Sequence, residues 1–485
     1  MTLTRRRFVR LAGLGLAALS TGAYAAPRSK GAGRKPNIVY INIDDMGWTD
    51  LGFMGSRFYE TPHIDRLASE GMVFTHAYTP AANCAPSRAC VFSGQYTPRH
   101  GVYTVASSER GNAKHRKLIP TENSTVLPDE KVTMAEALRA GGYVTCHAGK
   151  WHLGADPKTQ GFDVNIGGNH AGHPRSYFSP YKNPDLKDGP KGEHLADRLT
   201  DEVIGFVKAN QDRPFFLHFA PYSVHTPLQA KANVIAKYKG KMSTDRHKNA
   251  VYAAMVETLD TNIGRLMNKL DELKLRDNTF VLFCSDNGGV YKISKQWPLR
   301  AGKGAYYEGG IREPMIVRWP GKVAAGAKCE TPVCGIDFYP TFLDVVGLEK
   351  PTGYLLDGVS LVPLLTGRGK LSERPLFWHF PIYLQGGNAE TQDVLFRTRP
   401  GSAVRLGDWK LIEYFEDGGS RELYNLKNDP GEKSNLIGKE LRKVAELHGL
   451  LKKWRARVQA PVPDRANPRY DAQAEKAAIA KARGR

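Results

Sequence analysis

An α/β fold built on a mostly parallel central sheet is predicted by two features of this 485-residue chain. Four short apolar, β-branched or aromatic runs each stop abruptly at a cluster of polar residues, and helical patterns lie between them. Runs of that length and composition read as buried strands. Strands alternating with helices argue for parallel pairing, because each return to the sheet uses a helix. Ligands of such sheets bind beyond the carboxyl ends of the strands, so the four polar clusters are expected to converge on one site.

The first run, 37–43, ends at Asp44-Asp45, and the second, 143–148, ends at Gly149-Lys150-Trp151-His152. The third, 214–220, leads to Ser223-Val224-His225, and the fourth, 279–284, ends at Ser285-Asp286-Asn287-Gly288. Helices are predicted over 133–140, closed by Gly141-Gly142, over 195–209, and over about 251–275. In the last of these Met255, Leu259, Ile263, Leu266, Leu270 and Leu273 follow three-to-four spacing and should face the core. One core rarely grows beyond about 300 residues, and the Pro/Gly-rich stretch 347–369 reads as the passage to a smaller unit. There the segments 375–380, 402–406 and 409–414 have the composition of a small antiparallel sheet. The expected division is a large domain over 34–368, a small one over 369–465, and a basic segment over 466–485 that is either a helix or a solvated tail.

The first 25 residues read as an address. Arg5-Arg6-Arg7-Phe8-Val9-Arg10 precedes a modestly apolar run to Leu19, and Ala23-Tyr24-Ala25 offers a small-x-small cleavage site. This is a twin-arginine export pattern, which places the protein in the periplasm or outside the cell with the export machinery as a partner. The apolar run is too short for a stable span of about 20 residues. Formal net charge is +20, and removing Arg5, Arg6, Arg7 and Arg10 leaves +16, which favours polyanionic partners. Nucleic acid is not among them, since the positive charge is dispersed and no recognition motif is present. An anionic polysaccharide fits. Of the six cysteines, 84, 90, 146, 284, 329 and 334, none has zinc-ligand spacing. Cys146 and Cys284 lie in strand-like runs and Cys90 should pack in a helix, while Cys329 and Cys334 either pair after export or remain free thiols.

Asp44-Asp45 and Asp286-Asn287 bring hard oxygen ligands and three negative charges to strand ends, which suits Ca²⁺ or Mg²⁺ better than a soft metal. Cys84-Ala85-Pro86-Ser87-Arg88 resembles the C-x-P-S-R signature of the type I, formylglycine-dependent sulfatases of the alkaline-phosphatase superfamily, among them arylsulfatases and N-acetylgalactosamine sulfatases. Further segments are similar to the family's, in its order: Thr61-Pro62-His63-Ile64-Asp65, Gly149-Lys150-Trp151-His152-Leu153-Gly154, Gly302-Lys303-Gly304, Glu308-Gly309-Gly310, Trp409-Lys410-Leu411 and Glu422-Leu423-Tyr424-Asn425-Leu426. The likeness spans roughly 35–440.

The resemblance implies a three-layer catalytic domain and an esterase mechanism. A maturation enzyme oxidises Cys84 to formylglycine, whose hydrate attacks sulfur and displaces the alcohol. The second hydroxyl then collapses the sulfo-enzyme intermediate. By the same resemblance Asp44, Asp45, Asp286 and Asn287 bind one Ca²⁺ together with residue 84, and Arg88 orients the nucleophile. Lys150 and Lys303 neutralise sulfate oxygens, His152 is the base for sulfate elimination, and His225 with Lys303 protonates the leaving alcohol. The implied substrate is an O-sulfated carbohydrate of galactose or N-acetylgalactosamine type. Two alternatives share the motif: a phosphonate or phosphate ester hydrolase, and a sulfated-glycan-binding protein if Cys84 is not converted. His170, His173 and Arg175 form a Gly/His-rich loop that could touch the sugar. His63, His76, His100, His115, His194 and His379 have no assigned chemistry.

Overall fold

The computed structural model describes residues 34–484, so the leader predicted over 1–25 lies outside the described residues. The large sheet runs in the order β4-β3-β5-β1-β6-β7-β2-β8, with β9 also paired to β2. Its strands are β1 (Asn37–Ile43), β2 (Met72–Tyr78), β3 (Val144–Gly149), β4 (Val164–Ile166), β5 (Phe215–Ala220), β6 (Thr279–Ser285), β7 (Arg312–Arg318), β8 (Ala327–Cys329) and β9 (Val333–Cys334). Pairing is parallel throughout except on the two sides of β7, which runs against β6 and β2.

Alternation along these strands builds three layers, since neighbouring side chains point to opposite faces. Val39, Ile41, Ile43, Leu217, Phe219, Val281 and Phe283 face helices Leu195–Ala209 and Ala250–Glu272. Ile38, Tyr40, Phe216, Phe280 and Leu282 face helices Cys84–Ser93, Met134–Ala140 and Phe338–Val346. Burial on both faces explains why the central strands read as unbroken apolar runs. Helix Leu195–Ala209 starts and ends where the sequence puts it. Thr133 caps its helix by accepting the Glu136 amide at 3.1 Å, while Glu136 accepts the Thr133 amide at 2.9 Å. In the long helix Met255, Leu259, Ile263, Leu266 and Leu270 are buried; Leu273 falls at its C-cap and is half-buried. β2 and β7 were not anticipated as strands: β2 carries Thr75 and His76 at a register shift, and β7 mixes Arg312, Glu313 and Pro314 with its apolar residues.

The small sheet is antiparallel, in the order β10-β13-β14-β15: β10 (Leu376–Phe380), β13 (Gly401–Leu406), β14 (Trp409–Tyr414) and β15 (Ser420–Asn425). A hairpin, β11 (Leu384–Gln385) with β12 (Phe396–Thr398), stands beside it. Helix Leu441–Val458 covers the sheet with Leu447, Leu451 and Trp454, in one core with Tyr78, Cys90, Tyr306 and Tyr307 of the large part. The stretch 347–369 is likewise packed, with Leu361 and Leu365 buried among the residues of the large part. Of the two alternatives for the last residues the structure shows the helix, Ala472–Arg483, held by an ion pair at 2.6 Å between Glu475 and Arg399. All six cysteines are free, Cys329 and Cys334 included.

A fully buried ionic triad joins the two sheets. Lys410 of β14 lies 3.0 Å from Glu308 and 2.9 Å from Glu432, and Glu432 also accepts the Glu308 amide at 2.6 Å. Two carboxylates share one ammonium. Burial, with Glu308 beside it, pushes Glu432 up to about 7 against the pull of Lys410. At Glu308 burial acts the same way, but Lys410 and Arg405 outweigh it and hold the group at about 2. Between the ordinary value of 4.5 and about 7 the folded protein therefore holds a proton at Glu432 that the unfolded chain lacks. Stability contributed by this group falls as pH rises through that window. Glu432→Gln should flatten the dependence: melting temperatures at pH 5 and pH 7.5 should differ less in the variant than in the parent, and an equal difference would refute the assignment.

Candidate active site

The four polar clusters meet because their strands are neighbours, in the order β3-β5-β1-β6. Backbone pairing continues past the strand ends and locks the loops. The Asp286 amide donates to the Ile43 carbonyl at 2.9 Å, the Asp44 amide to Ser223 at 3.1 Å, the Val224 amide to Asp44 at 2.9 Å and the Lys150 amide to Ala220 at 2.8 Å. Gly149 allows the last of these contacts: its φ is 99°, and a Cβ there would stand 2.0 Å from the Ala220 oxygen. Helix Cys84–Ser93 brings Cys84 to the same place at its first turn. The Ser87 hydroxyl lies 2.5 Å from that of Thr79, which donates to the Asp286 carbonyl at 2.6 Å and so ties this helix to the β6 loop.

Around Cys84 the charges alternate. Lys150 Nζ donates to both oxygens of Asp44, at 2.9 and 2.7 Å, with both side chains fully buried. Lys303 Nζ bridges Asp45 Oδ1 at 2.5 Å and Cys84 Sγ at 3.2 Å. Arg88 holds Asp286 Oδ2 through Nε at 2.9 Å and Nη2 at 2.8 Å, and its Nη1 donates to the Lys150 carbonyl at 2.7 Å. Asn287 Nδ2 donates to Asp45 Oδ1 at 2.8 Å. Burial pushes Asp45 up, but Lys303 and then His225 outweigh it and hold the carboxyl well below the usual range. Lys303 is disfavoured as a cation by burial and yet held above its ordinary value by Asp45.

These positions suit a hard cation. Asp44, Asp45, Cys84 and His225 each offer one ligand atom, all within 4.8 Å of one another. Asp45 Oδ2 and Asn287 Oδ1 are buried without a hydrogen-bond partner, which is costly for oxygen atoms unless something electropositive faces them. Asp286 Oδ1 lies 3.3 Å from the Asp45 amide. The structure thus gathers Asp44, Asp45, Cys84, Asp286 and Asn287, with carboxylate and amide oxygens of the kind Ca²⁺ prefers.

The two histidines differ. His152 sits at φ 65° just past β3, with Nδ1 buried and unpaired. Burial, and then Lys150, keep it neutral by pushing its pKa well below 6.5. His225 Nδ1 donates to the Thr226 carbonyl at 2.7 Å, which turns Nε2 toward Asp45 Oδ2 at 3.5 Å. Burial lowers it to about 4 despite Asp45. The Gly/His-rich loop reaches both rings: His173 stacks on His225 at 6.1 Å, and His170 meets His152 edge-on at 6.2 Å. Arg175 is exposed on the same loop. Two residues that sequence reasoning passed over lie beside the Lys303 loop in segments that carry no motif: Arg397, in the strand Phe396–Thr398, donates to the Lys303 carbonyl, and Arg110 donates to Gln385 of the neighbouring strand.

The family model described as Sulfatase matches residues 36–348, well over half of the chain. The chain belongs to the sulfatase family. As a sulfatase it is a sulfuric ester hydrolase, and a second model, N-sulphoglucosamine sulphohydrolase, C-terminal, matches residues 302–459. This sulfatase is 33% identical to a sulfatase of Formosa agariphila over 95% of its own length and 96% of the relative's. It is 33% identical to the N-acetylgalactosamine-6-sulfatase of Canis lupus familiaris over 75% of this chain and 71% of that one. The crystal structure of Ps i-CgsB superposes with a TM-score of 0.71 at 31% identity, covering 87% of this sulfatase and 93% of that chain. Ps i-CgsB has also been solved in complex with k-i-k-neocarrahexaose. The α/β fold with its mostly parallel sheet and small antiparallel sheet agrees with the expectation drawn from the motifs. Among the described residues no helix is long and apolar enough to cross a membrane.

Proposed function

We propose that this sulfatase removes O-sulfate from a sulfated carbohydrate of galactose or N-acetylgalactosamine type, outside the cytoplasm, after conversion of Cys84 to formylglycine. The observation that carries the reading is the Cys84 sulfur, 3.2 Å from the Lys303 ammonium and grouped with Asp44 and Asp45 within 4.8 Å. The relatives named for N-acetylgalactosamine-6-sulfate hydrolysis and for binding an oligosaccharide support a glycan substrate. The proposed partners are a formylglycine-generating enzyme, acting in the cytoplasm, and the twin-arginine export machinery, which carries folded cargo.

Asp44, Asp45, Asp286 and Asn287 would hold one Ca²⁺ with residue 84. Calcium, when bound, supplies Lewis acidity toward a sulfate oxygen and the hydroxyl at residue 84. Lys150 and Lys303 present fixed positive charge where the sulfate oxygens gain negative charge. His152, neutral and buried, is suited to accept a proton from residue 84. His225 and Lys303 flank the leaving oxygen. The two together are proposed to protonate the leaving alcohol, with His225 Nδ1 tied to the Thr226 carbonyl so that Nε2 is free to face it. Arg88 keeps Asp286 and the Lys150 loop in register with residue 84.

The test is a desulfation panel on defined sulfated mono- and disaccharides with protein matured in the native host. Peptide mass at residue 84 should show formylglycine, and EGTA should lower turnover until Ca²⁺ is returned. Faster turnover of matched phosphate monoesters would instead favour the phosphoester reading, and an unmodified thiol throughout would favour a binding protein.

A further inference from the structure

Two arginines beside the active centre lack an acidic partner among the described residues. Arg110 donates from Nε to Gln385 Oε1 at 3.0 Å and from Nη1 to the Val105 carbonyl at 3.4 Å. Arg397, in the centre of β12, donates from Nε to the Gly386 carbonyl at 3.3 Å and from Nη1 to the Lys303 carbonyl at 3.5 Å. All four acceptors are neutral, and three are distant. Several other arginines take carboxylates, Arg99 with Asp357 at 2.8 Å, Arg116 with Glu109 at 2.9 Å and Arg399 with Glu416 at 2.8 Å, while Arg300 and Arg405 bond carbonyl and tyrosine oxygens. Arg110 and Arg397 differ from those two in meeting at the same hairpin beside the Lys303 loop.

Arg397 Nη1 reaches the carbonyl of Lys303, whose ammonium faces Cys84. Burial lowers the basicity of each guanidinium. Cys84 opposes this at Arg110, and Asp45 opposes it at Arg397, while Arg110 adds to the lowering at Arg397. Geometry puts them side by side: Arg110 Nε meets the side chain of Gln385 and Arg397 Nε the carbonyl of the next residue, Gly386. Their backbones cannot easily move apart. Glu109 bridges to Tyr383, and Arg116 clamps the carbonyls on either side of Arg110, Glu109 at 2.7 Å and Gly111 at 3.0 Å. The β11–β12 hairpin presses on the Lys303 loop so tightly that a Cβ on Gly304 would meet Leu384 at 2.5 Å and the Arg397 stem at 2.9 Å. Two like charges held together, partly desolvated and without a carboxylate partner among the described residues, are a receptor for an anion, and the planar guanidinium fork matches the oxygens of sulfate or carboxylate.

We propose that Arg110 and Arg397 form a second anion subsite that takes a further sulfate or carboxylate of the glycan whose sulfate ester is cleaved at residue 84. The proposal rests on the sulfatase reading above and narrows its substrate class to glycans with at least two anionic groups. Lys303 links the subsites, since its ammonium faces Cys84 while its carbonyl receives Arg397.

The experiment compares three matched oligosaccharides: one with a single sulfate ester, one with a second sulfate and one with a uronate carboxylate. At least one dianionic sugar should exceed the monosulfated one by ~10-fold or more in kcat/KM, mainly through KM, as expected of a charge-assisted contact made before the chemistry. Which arm responds distinguishes sulfate from carboxylate. Arg110→Gln and Arg397→Gln should each reduce that preference, and Arg110→Lys, which keeps charge without the fork, should reduce it less. Equal losses on all three sugars would mean a structural role and would overturn the proposal, as would absence of any preference in the parent protein. Calorimetric titration of Cys84→Ala with the same sugars reads the subsite without turnover. A dianion preference there that disappears in Cys84→Ala/Arg397→Gln supports the subsite even if no sulfate ester were hydrolysed, so its fate is separable from that of the catalytic reading.

Discussion

Cys84→Ala should reduce hydrolysis of any sulfate ester by ~10⁴-fold or more relative to matured protein, the scale on which a covalent nucleophile acts in concert with its neighbours. Little else should change. The thiol is buried, its one hydrogen-bond partner among the described residues is Lys303, and Lys303 keeps Asp45 at 2.5 Å when the sulfur is gone. Alanine is also the better helix former at this first-turn position. The melting temperature should therefore stay within a few degrees of the parent's while sulfate release, followed by ion chromatography, falls to background. Residual turnover near a tenth of the parent's would sink the assignment of residue 84 as the nucleophile.

Arg88→Leu should produce the largest loss of stability. Arg88 and Asp286 are each about 1% exposed and are joined at 2.8 Å. Removing one partner of such a pair leaves an uncompensated buried charge, which costs about 3–5 kcal/mol. Asp286 is already pushed up by burial and by Asp44, with Arg88 as its main counterweight, so losing the guanidinium should drive it to take a proton. Arg88 also holds the Lys150 carbonyl at 2.7 Å, and its loss should loosen the loop that presents Lys150 and His152. Urea denaturation monitored by tryptophan fluorescence measures the first effect. A change within about 0.5 kcal/mol, the range of ordinary surface substitutions, would show that the pair does not stabilise the fold. Arg88→Lys keeps the charge but lacks the three-pronged reach, and should recover part of the stability and little of the activity.

The central strands and the polar residues at their ends were readable because parallel sheets impose a local signature: a run buried on both faces, then an abrupt switch to polar residues where the chain leaves the core. Asp44-Asp45, Lys150, His225 and Asp286-Asn287 each sit at such a switch, and neighbouring strands bring them together. β2 and β7 gave no comparable signal. They lie toward the edge of the sheet, one with a register shift and the other antiparallel, and their side chains mix charge with apolar residues. The strand β15, read only as a similar segment, belongs to the same class, because its outer positions are exposed or half-buried.

The sequence by itself determined the fold class and the oxygen-rich cluster, because each depends on residues adjacent in the chain or placed at a strand end by one simple topological rule, and the resemblance of 84–88 to the sulfatase signature named the nucleophile candidate. Only the tertiary structure decided that the small sheet shares a core with the large part, that Lys410 is locked between Glu308 and Glu432, and that Arg110 and Arg397 meet at one hairpin without a carboxylate partner among the described residues. Those arrangements join loops far apart in the chain, as with Arg110 and Gln385, 275 positions apart. Their charge balance depends on which side chains meet in three dimensions, and no periodicity or short motif records that.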